Sequence, residues 1–384
     1  MPSGWSKKTL VEIAVFLDGK RVPLKEADRQ QRKGKYPYYG ASGIIDFIND
    51  YIFDEPLILL GEDGENIVSR NLPLAFKATG KFWVNNHAHV IKPNNDMDID
   101  FLTNYLESLN YEKFNSGTAQ PKLNKSACEG IPVLIPPKKE QEKIAKILST
   151  WDEAIEKIDS AIFEKQRKKT YVLERAFNEI RAKKRFKRLS DLADILTSNV
   201  DKKSHAGETP VHLCNYVDVY KNHKITAHLS FMEATATPSE VQKFTVFKND
   251  VIITKDSETP QDIAIPAFVA EEIDNLVCGY HLTLIRCDSS QILGHYLYYY
   301  FLTVKSKYYF FTMANGATRF GLSLDSISDC EVPITQVADQ KKVIDALETI
   351  ESEIELLGKL KKSLQIQKRG LMQQLLTGKK RVKV

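Results

Sequence analysis

The chain states one pattern twice, about two hundred residues apart, and that limits what it can fold into. Glu140-Gln141-Glu142-Lys143-Ile144 opens the apolar stripe Ile144, Leu148, Trp151, Ile155, Ile158. Asp339-Gln340-Lys341-Lys342-Val343 opens Val343, Leu347, Ile350, Ile354, Leu357, at a constant offset of 199. Both stripes advance by steps of 4, 3, 4 and 3. This spacing keeps the apolar seam of a helix turned toward one partner, as in a coiled coil. Two such seams in one chain most simply bury each other, so two long antiparallel helices are expected.

The duplication reaches back into the segments before those helices. Leu10, Ile13 and Ala14 match Leu189, Leu192 and Ala193 at offset 179; His87 matches His281 at 194; Gly117-Thr118-Ala119-Gln120 matches Gly316-Ala317-Thr318-Arg319 at 199. Such a period is far longer than the roughly 20 to 50 residues of a solenoid unit. Outside the helices, short aromatic and β-branched runs alternate with turns: Gly43-Ile44-Ile45-Asp46-Phe47-Ile48, Leu57-Ile58-Leu59-Leu60 before Gly61-Glu62-Asp63-Gly64, and Val251-Ile252-Ile253-Thr254. These read as strands and loops. The fold class is therefore α/β with a pseudo-two-fold repeat: a first mixed domain over 1–137, a central helix over 138–185, a second mixed domain over 186–335 and a C-terminal helix over 336–384. Because the N-terminal segment resembles the one just after the first helix, the two ends are expected close together. Pro136-Pro137 has no counterpart before the second helix, so the helix starts are expected to differ.

With 384 residues, 42% hydrophobic and 27% charged, the composition is that of a soluble globular protein. No apolar run reaches the roughly 18 to 20 residues that span a bilayer, and no apolar stretch comes after Lys7 and Lys8 as in a signal peptide; a cytoplasmic location is expected. Five scattered cysteines without a CxxC pair read as reduced, packed thiols. Regional net charge, counting Lys and Arg against Asp and Glu, is −1 over 1–137, +7 over 138–188, −7 over 189–338 and +5 over 339–384. Globular domains without basic excess argue against high nucleic-acid affinity for the chain alone.

Catalytic signatures are missing. The Gly61 to Gly64 turn lacks the Gly-Lys-Ser/Thr of a P-loop, and neither an Asn-Pro-Pro-aromatic run nor His-Glu-x-x-His occurs. His87-Ala88-His89 would place both rings on one strand face, but with no third ligand nearby a packed or DNA-facing histidine is the better reading than a metal site. Gln120 and Arg319 hold equivalent places after paired glycines, and these side chains pair bidentately with adenine and guanine edges; a plain structural turn explains the glycines as well. Lys33, Lys35, Tyr36, Tyr38 and Tyr39 interleave basic and aromatic groups, as a phosphate-and-sugar surface or as core. Lys255-Asp256-Ser257-Glu258-Thr259-Pro260 is a polar loop directly after a buried strand, where recognition commonly sits.

The Glu/Asp-Gln head of each helix, the segment Lys143-Ile144-Ala145-Lys146-Ile147-Leu148-Ser149-Thr150-Trp151-Asp152-Glu153-Ala154-Ile155, and the ending Arg369-Gly370-Leu371-Met372-Gln373-Gln374-Leu375-Leu376-Thr377-Gly378 closely resemble the specificity subunit of type I restriction-modification enzymes. Tyr38-Tyr39-Gly40-Ala41-Ser42-Gly43-Ile44-Ile45 and Val251 to Pro260 with Gly279-Tyr280-His281-Leu282 look like two varieties of that family's target recognition domain. The resemblance implies a non-catalytic DNA reader whose two domains each read half of a bipartite target. Its helices would separate the halves and dock two modification subunits, which hold S-adenosylmethionine and methylate adenine, while restriction subunits add ATP-driven translocation and cleavage. On this reading the chain itself binds no cofactor and no metal. The residues expected at DNA are Lys33, Lys35, Tyr38, Asn86, His87, Thr118, Gln120 and Lys122 in the first domain, and Lys255, Ser257, Tyr280, His281, Thr318 and Arg319 in the second. The rival expectation is a coiled-coil adaptor that binds protein without DNA specificity.

Overall fold

The computed structural model describes residues 2–117 and 120–383. The chain divides into two units, 1–160 with 358–384, and 161–357. Each unit holds one mixed domain and the adjoining stretches of two long helices, Lys138–Ala182 and Val337–Leu375.

In the first unit the run Leu57–Gly61 is buried along its length because it pairs on both sides, antiparallel to Ala75–Ala78 and to Ala88–Pro93, with Ala14–Phe16 closing the far edge. An apolar run without alternation is what a strand covered on both faces requires. Ile58, Leu60 and Ile91 pack under Phe101, Leu102 and Leu106 of the helix Ile99–Glu107, which Asp98 caps by accepting the Phe101 amide at 2.8 Å. Leu57, Leu59 and Val90 face Phe82 and Val84 of a second sheet. That sheet sets Lys33–Gly40 between its hairpin partner Gly43–Ile48 and the parallel strand Lys81–Val84.

The second unit repeats the plan. Val251–Thr254 lies between Leu282–Cys287 and Pro266–Val269, with Ala193–Thr197 beyond. Val251, Ile253 and Ile285 pack on Tyr296, Leu297 and Tyr300 of the helix Gly294–Phe301, and Ile252 and Leu284 pack on Leu213 and Leu276. The cross-strand pairs Leu59–Val90 and Ile252–Leu284 occupy equivalent places in the two sheets.

Within each unit the helices run antiparallel. In the first, Asp152 meets Lys368 at 2.5 Å and Asp159 meets Lys361 at 2.6 Å, so seven residues forward on one helix match seven backward on the other. In the second, Lys165 meets Glu353 at 2.5 Å and Lys169 meets Glu351 at 2.7 Å. Ile144 and Leu148 are fully buried with Met372, Leu375 and Leu376 in the first core, and Leu347 is buried with Leu173 and Phe177 in the second. Ile350 is also buried. Trp151, Ile155, Ile158, Val343, Ile354 and Leu357 are only half-buried, and Ile344 goes inward beside Val343. A pair of helices closes one stripe and leaves its flanks open, as exposed Phe163, Leu356 and Leu360 show.

The recurring glutamine of each helix head acts as a staple. Gln141 donates to the carbonyls of Pro136 (3.0 Å) and Asp96 (3.4 Å) and accepts the Asp98 amide at 2.8 Å. Gln340 donates to Thr335 (2.9 Å) and Gln291 (2.8 Å) and accepts the Leu293 amide at 2.9 Å. Each thereby ties a long helix to the N-terminus of its domain's own helix. The same clamp explains why the two helices begin at equivalent residues, Lys138 and Val337, despite the unmatched proline pair. The preceding acids diverge. Glu140, 2% exposed, receives Arg381 at 2.7 and 2.8 Å and the Trp5 indole at 3.1 Å, and Arg381 also donates to the Ser3 carbonyl at 2.8 Å, so residues near the two ends do meet. Asp339 instead holds Lys342 at 2.8 Å on the surface.

Candidate nucleic-acid interface

Three loops lie together at the same end of the central strand in each domain. In the first, the strand Leu57–Gly61 runs into the acidic loop Glu62-Asp63-Gly64. The Glu62 amide donates to the His87 carbonyl at 2.8 Å, the Glu62 carbonyl accepts the Leu123 amide at 2.7 Å, and the Gly64 amide donates to Pro121 at 3.1 Å. Asp63 holds His87 Nδ1 at 2.8 Å. In the second, the Lys255 amide donates to the His281 carbonyl at 2.8 Å, its carbonyl accepts the Leu322 amide at 3.0 Å, and Asp256 holds His281 Nδ1 at 2.6 Å. The acidic loop, the histidine turn and the Gly-x-x-Gln/Arg loop are thus laced together twice by the same bonds.

The glycines of the third loop are required by close approach. A Cβ on Gly117 would lie 1.8 Å from the Gln120 carbonyl oxygen, and one on Gly316 would lie 1.8 Å from that of Arg319. The loop closes on itself and presents Gln120 or Arg319 outward, both exposed. Among the described residues neither side chain is engaged in a hydrogen bond or ion pair.

One frame carries different chemistry in its two copies. Glu62 pairs with Arg21 at 2.7 Å and with Lys122 at 3.4 Å; Lys255 stands in its place in the second domain. There a cleft of about 450 Å³ is lined by Tyr216, Tyr220, Asp262, Tyr280, His281 and Arg319. The Tyr216 and Tyr220 rings stack at 5.6 Å, and Tyr280 leans on His281 at 3.5 Å. His281 has φ +71°, a conformation that costs a non-glycine residue energy and tends to survive where surrounding bonds impose it. Burial, then the nearby Asp262, Glu258 and Asp256 charges, raises the Tyr216 phenol above its ordinary range. Arginine and carboxylate side chains side by side supply donors for guanine O6/N7 and acceptors for a cytosine amino group.

The structure distributes the sequence-expected residues unequally. Asn86, His87, Gln120 and Lys122 gather at the first frame, and Lys255, Tyr280, His281, Thr318 and Arg319 at the second; Thr118 lies outside the described residues. Tyr38 is core, 1% exposed, with its hydroxyl accepting the Leu24 amide at 2.9 Å. Ser257 is buried, and its hydroxyl donates to the Thr259 carbonyl. Lys33 is tied to Asp46 at 2.6 Å, while Lys35 is exposed over the Tyr36 ring. His87 and His89 do not share a face. His87 sits in the turn before the strand, whereas His89, 1% exposed, lies between Asp18 at 2.7 Å and the Leu123 carbonyl at 2.8 Å. Burial works to lower the His89 pKa, but these two acceptors and Cys128 overcome it and push it up to about 10. Both nitrogens then donate, so the ring is a structural cation rather than a ligand. Among the described residues no three His, Cys, Asp or Glu side chains converge to hold a metal ion.

Asp63, Asp256, Tyr216 and Tyr220 belong to the site without having been anticipated as its members. A signal existed for each pair: the aspartates recur at an offset of 193, and the tyrosines stand four apart, neighbours on one helix face.

The family model for the type I restriction modification DNA specificity domain matches residues 2–162 and 182–365. A putative type I restriction enzyme specificity subunit of Haemophilus influenzae is 37% identical over 141 residues, covering 37% of this chain and 36% of that protein. The MjaVIII specificity subunit of Methanocaldococcus jannaschii is 22% identical over 420 residues, covering 100% of this chain and 94% of its own. In fold, the chain is similar to the crystal structure of the type I restriction-modification S subunit from M. genitalium, with TM-score 0.57 and 16% identity over 97% of this chain and 96% of that one. A chain from a structure addressing complex assembly and conformational transition of the type I R-M system gives TM-score 0.59 at 13% identity, covering 98% of each. With two matches to the family's domain that together span most of its length, the chain belongs to the type I restriction-modification DNA specificity family.

Proposed function

We propose that this chain is the DNA-reading subunit of a type I restriction-modification complex, each domain reading one half of a bipartite double-stranded target. The observation that carries this is the twice-built frame: identical backbone lacing, with Gln120 presented in one copy and Arg319 in the other. A scaffold repeated with its reading residue exchanged is what two unlike half-sites require. The paired helices serve as spacer and as docking rails for two methyltransferase subunits, and the half-buried seam with exposed Phe163, Leu356 and Leu360 provides apolar surface for that docking. Catalysis resides in partners: S-adenosylmethionine in the modification subunits, ATP in the restriction subunits.

The test is methylome sequencing of a host with and without the gene, followed by binding of the complex assembled with its modification subunits. Arg319→Ala is expected to relax one half-site by about 1 to 3 kcal/mol, the worth of a bidentate base contact, and Gln120→Ala the other. Equal weakening on every sequence would mean that Arg319 touches phosphate or merely holds its loop. Absence of any protected site would leave a protein-binding adaptor.

A further inference from the structure

We infer that the hairpin Lys33–Gly40/Gly43–Ile48 enters the major groove of the first half-site and that Ile45 at its tip reads a thymine methyl group. The inference rests on the DNA-reading function proposed above. Along the hairpin Tyr38 pairs with Asp46 and Tyr39 with Ile44, so Ile45 is an extra residue, a bulge. Bulges commonly re-aim a side chain beside a functional site. Ile44 and Ile45 are 47% and 54% exposed, branched apolar side chains at a tip where no core covers them.

The tip is fastened to the candidate interface. A Cβ on Gly61, the residue before the acidic loop, would lie 2.6 Å from the Ala41 carbonyl oxygen. The Asn85 amide donates to Tyr39 at 3.1 Å, and the Asn85 side chain in turn accepts the His87 amide at 2.8 Å. Gly40 leaves the space that Ile45 occupies, since a Cβ there would stand 3.1 Å from it. The tip is therefore held by the two loops that form the His87–Asp63 pair, with Lys35 exposed farther along the same strand for phosphate. A two-stranded ribbon fits the major groove, and the apolar feature that a base edge offers there is the C5-methyl of thymine.

The test uses the complex of the chain with its modification subunits and duplexes carrying its methylated motif. Thymines in the half-site assigned to residues 1–137 are replaced one at a time by deoxyuridine, which removes only the methyl group. One replacement is expected to weaken binding about four-fold, the worth of one buried methyl. Ile45→Ala should weaken the thymine duplex by a similar factor and no longer distinguish uracil from thymine. A half-site without thymine, indifference to every uracil, or undiminished uracil discrimination by Ile45→Ala would each overturn the inference while base changes in either half still abolish binding. Loss of modification subunits from Ile45→Ala complexes would make the tip a protein-docking element and overturn it equally. A wild-type complex without sequence preference in either half would instead refute the reader function itself.

Discussion

Replacing Gly316 by alanine isolates the Gly316–Arg319 loop, proposed above to read bases, from everything around it. The new Cβ would lie 1.8 Å from the Arg319 carbonyl oxygen, where ordinary contact begins near 3.4 Å, and φ at this residue is +147°. The loop must therefore open by about 1.6 Å or twist, and an Arg319 fork displaced that far would lose the base-edge hydrogen bonds proposed for it, which need 2.7 to 3.2 Å. Losing one bidentate contact is expected to remove about 1 to 3 kcal/mol of discrimination, roughly five- to 150-fold. Competition binding by the assembled complex, with duplexes randomised in one half at a time, reads this directly. Gly316→Ala should lose preference only in the half-site of the second domain. Gly117→Ala, whose Cβ meets the Gln120 oxygen at the same 1.8 Å, should lose it only in the other. Neither glycine belongs to a core, Gly316 being exposed and Gly117 half-buried, so melting temperature should hardly move; Gly358→Ala, with nothing within 4 Å of its Cβ, is the control. Wild-type discrimination in both halves by Gly316→Ala would mean that this loop does not position a reader.

Gln340→Ala strands the Leu293 amide and the Thr335 and Gln291 carbonyls, all served by a fully buried side chain; at about 1 to 3 kcal/mol per orphaned buried group, denaturant unfolding should show a loss of at least 2 kcal/mol, near the effect of Gln141→Ala. Burial works to raise the Glu140 carboxyl, but the bonds from Arg381 and Trp5 outweigh it and leave the pKa below the ordinary 4.5. A carboxyl lowered on folding contributes stability that is present above that ordinary value and is lost as pH falls through the folded one. Melting scans below pH 4.5 should therefore fall less steeply for Glu140→Gln than for wild type. Because ion pairs match seven residues on one helix to seven on the other, removing 153–159 and 361–367 together preserves the pairing, whereas shortening one helix alone does not. The double deletion takes about 10 Å from the rod at 1.5 Å per residue, roughly three base pairs; an unchanged spacer in the methylated motif would discard the rod.

Features that repeat or keep a period are legible in the chain before it folds. The 3.5-residue stripe and the constant offset suffice for two long helices and two like domains, because helical periodicity and duplication are properties of residues read in order. The Gly-x-x-Gln/Arg loops could be found for the same reason. Which side chains face out and which loops meet was settled only on folding, since both depend on pairings between strands distant in sequence. Tyr38 reads like Lys35 as part of a basic and aromatic ribbon, yet the sheet beneath it makes one core and leaves the other in solvent. His87 and His89 obey the two-residue alternation of a strand only if the strand includes both, and it begins between them, at Ala88. Trp151 lies on the seam but is only half covered, because one partner helix cannot close both flanks of a large ring. The pairing of Asp63 with His87, and of Asp256 with His281, exists because three loops arrive at the end of one strand, a meeting that depends on the whole sheet.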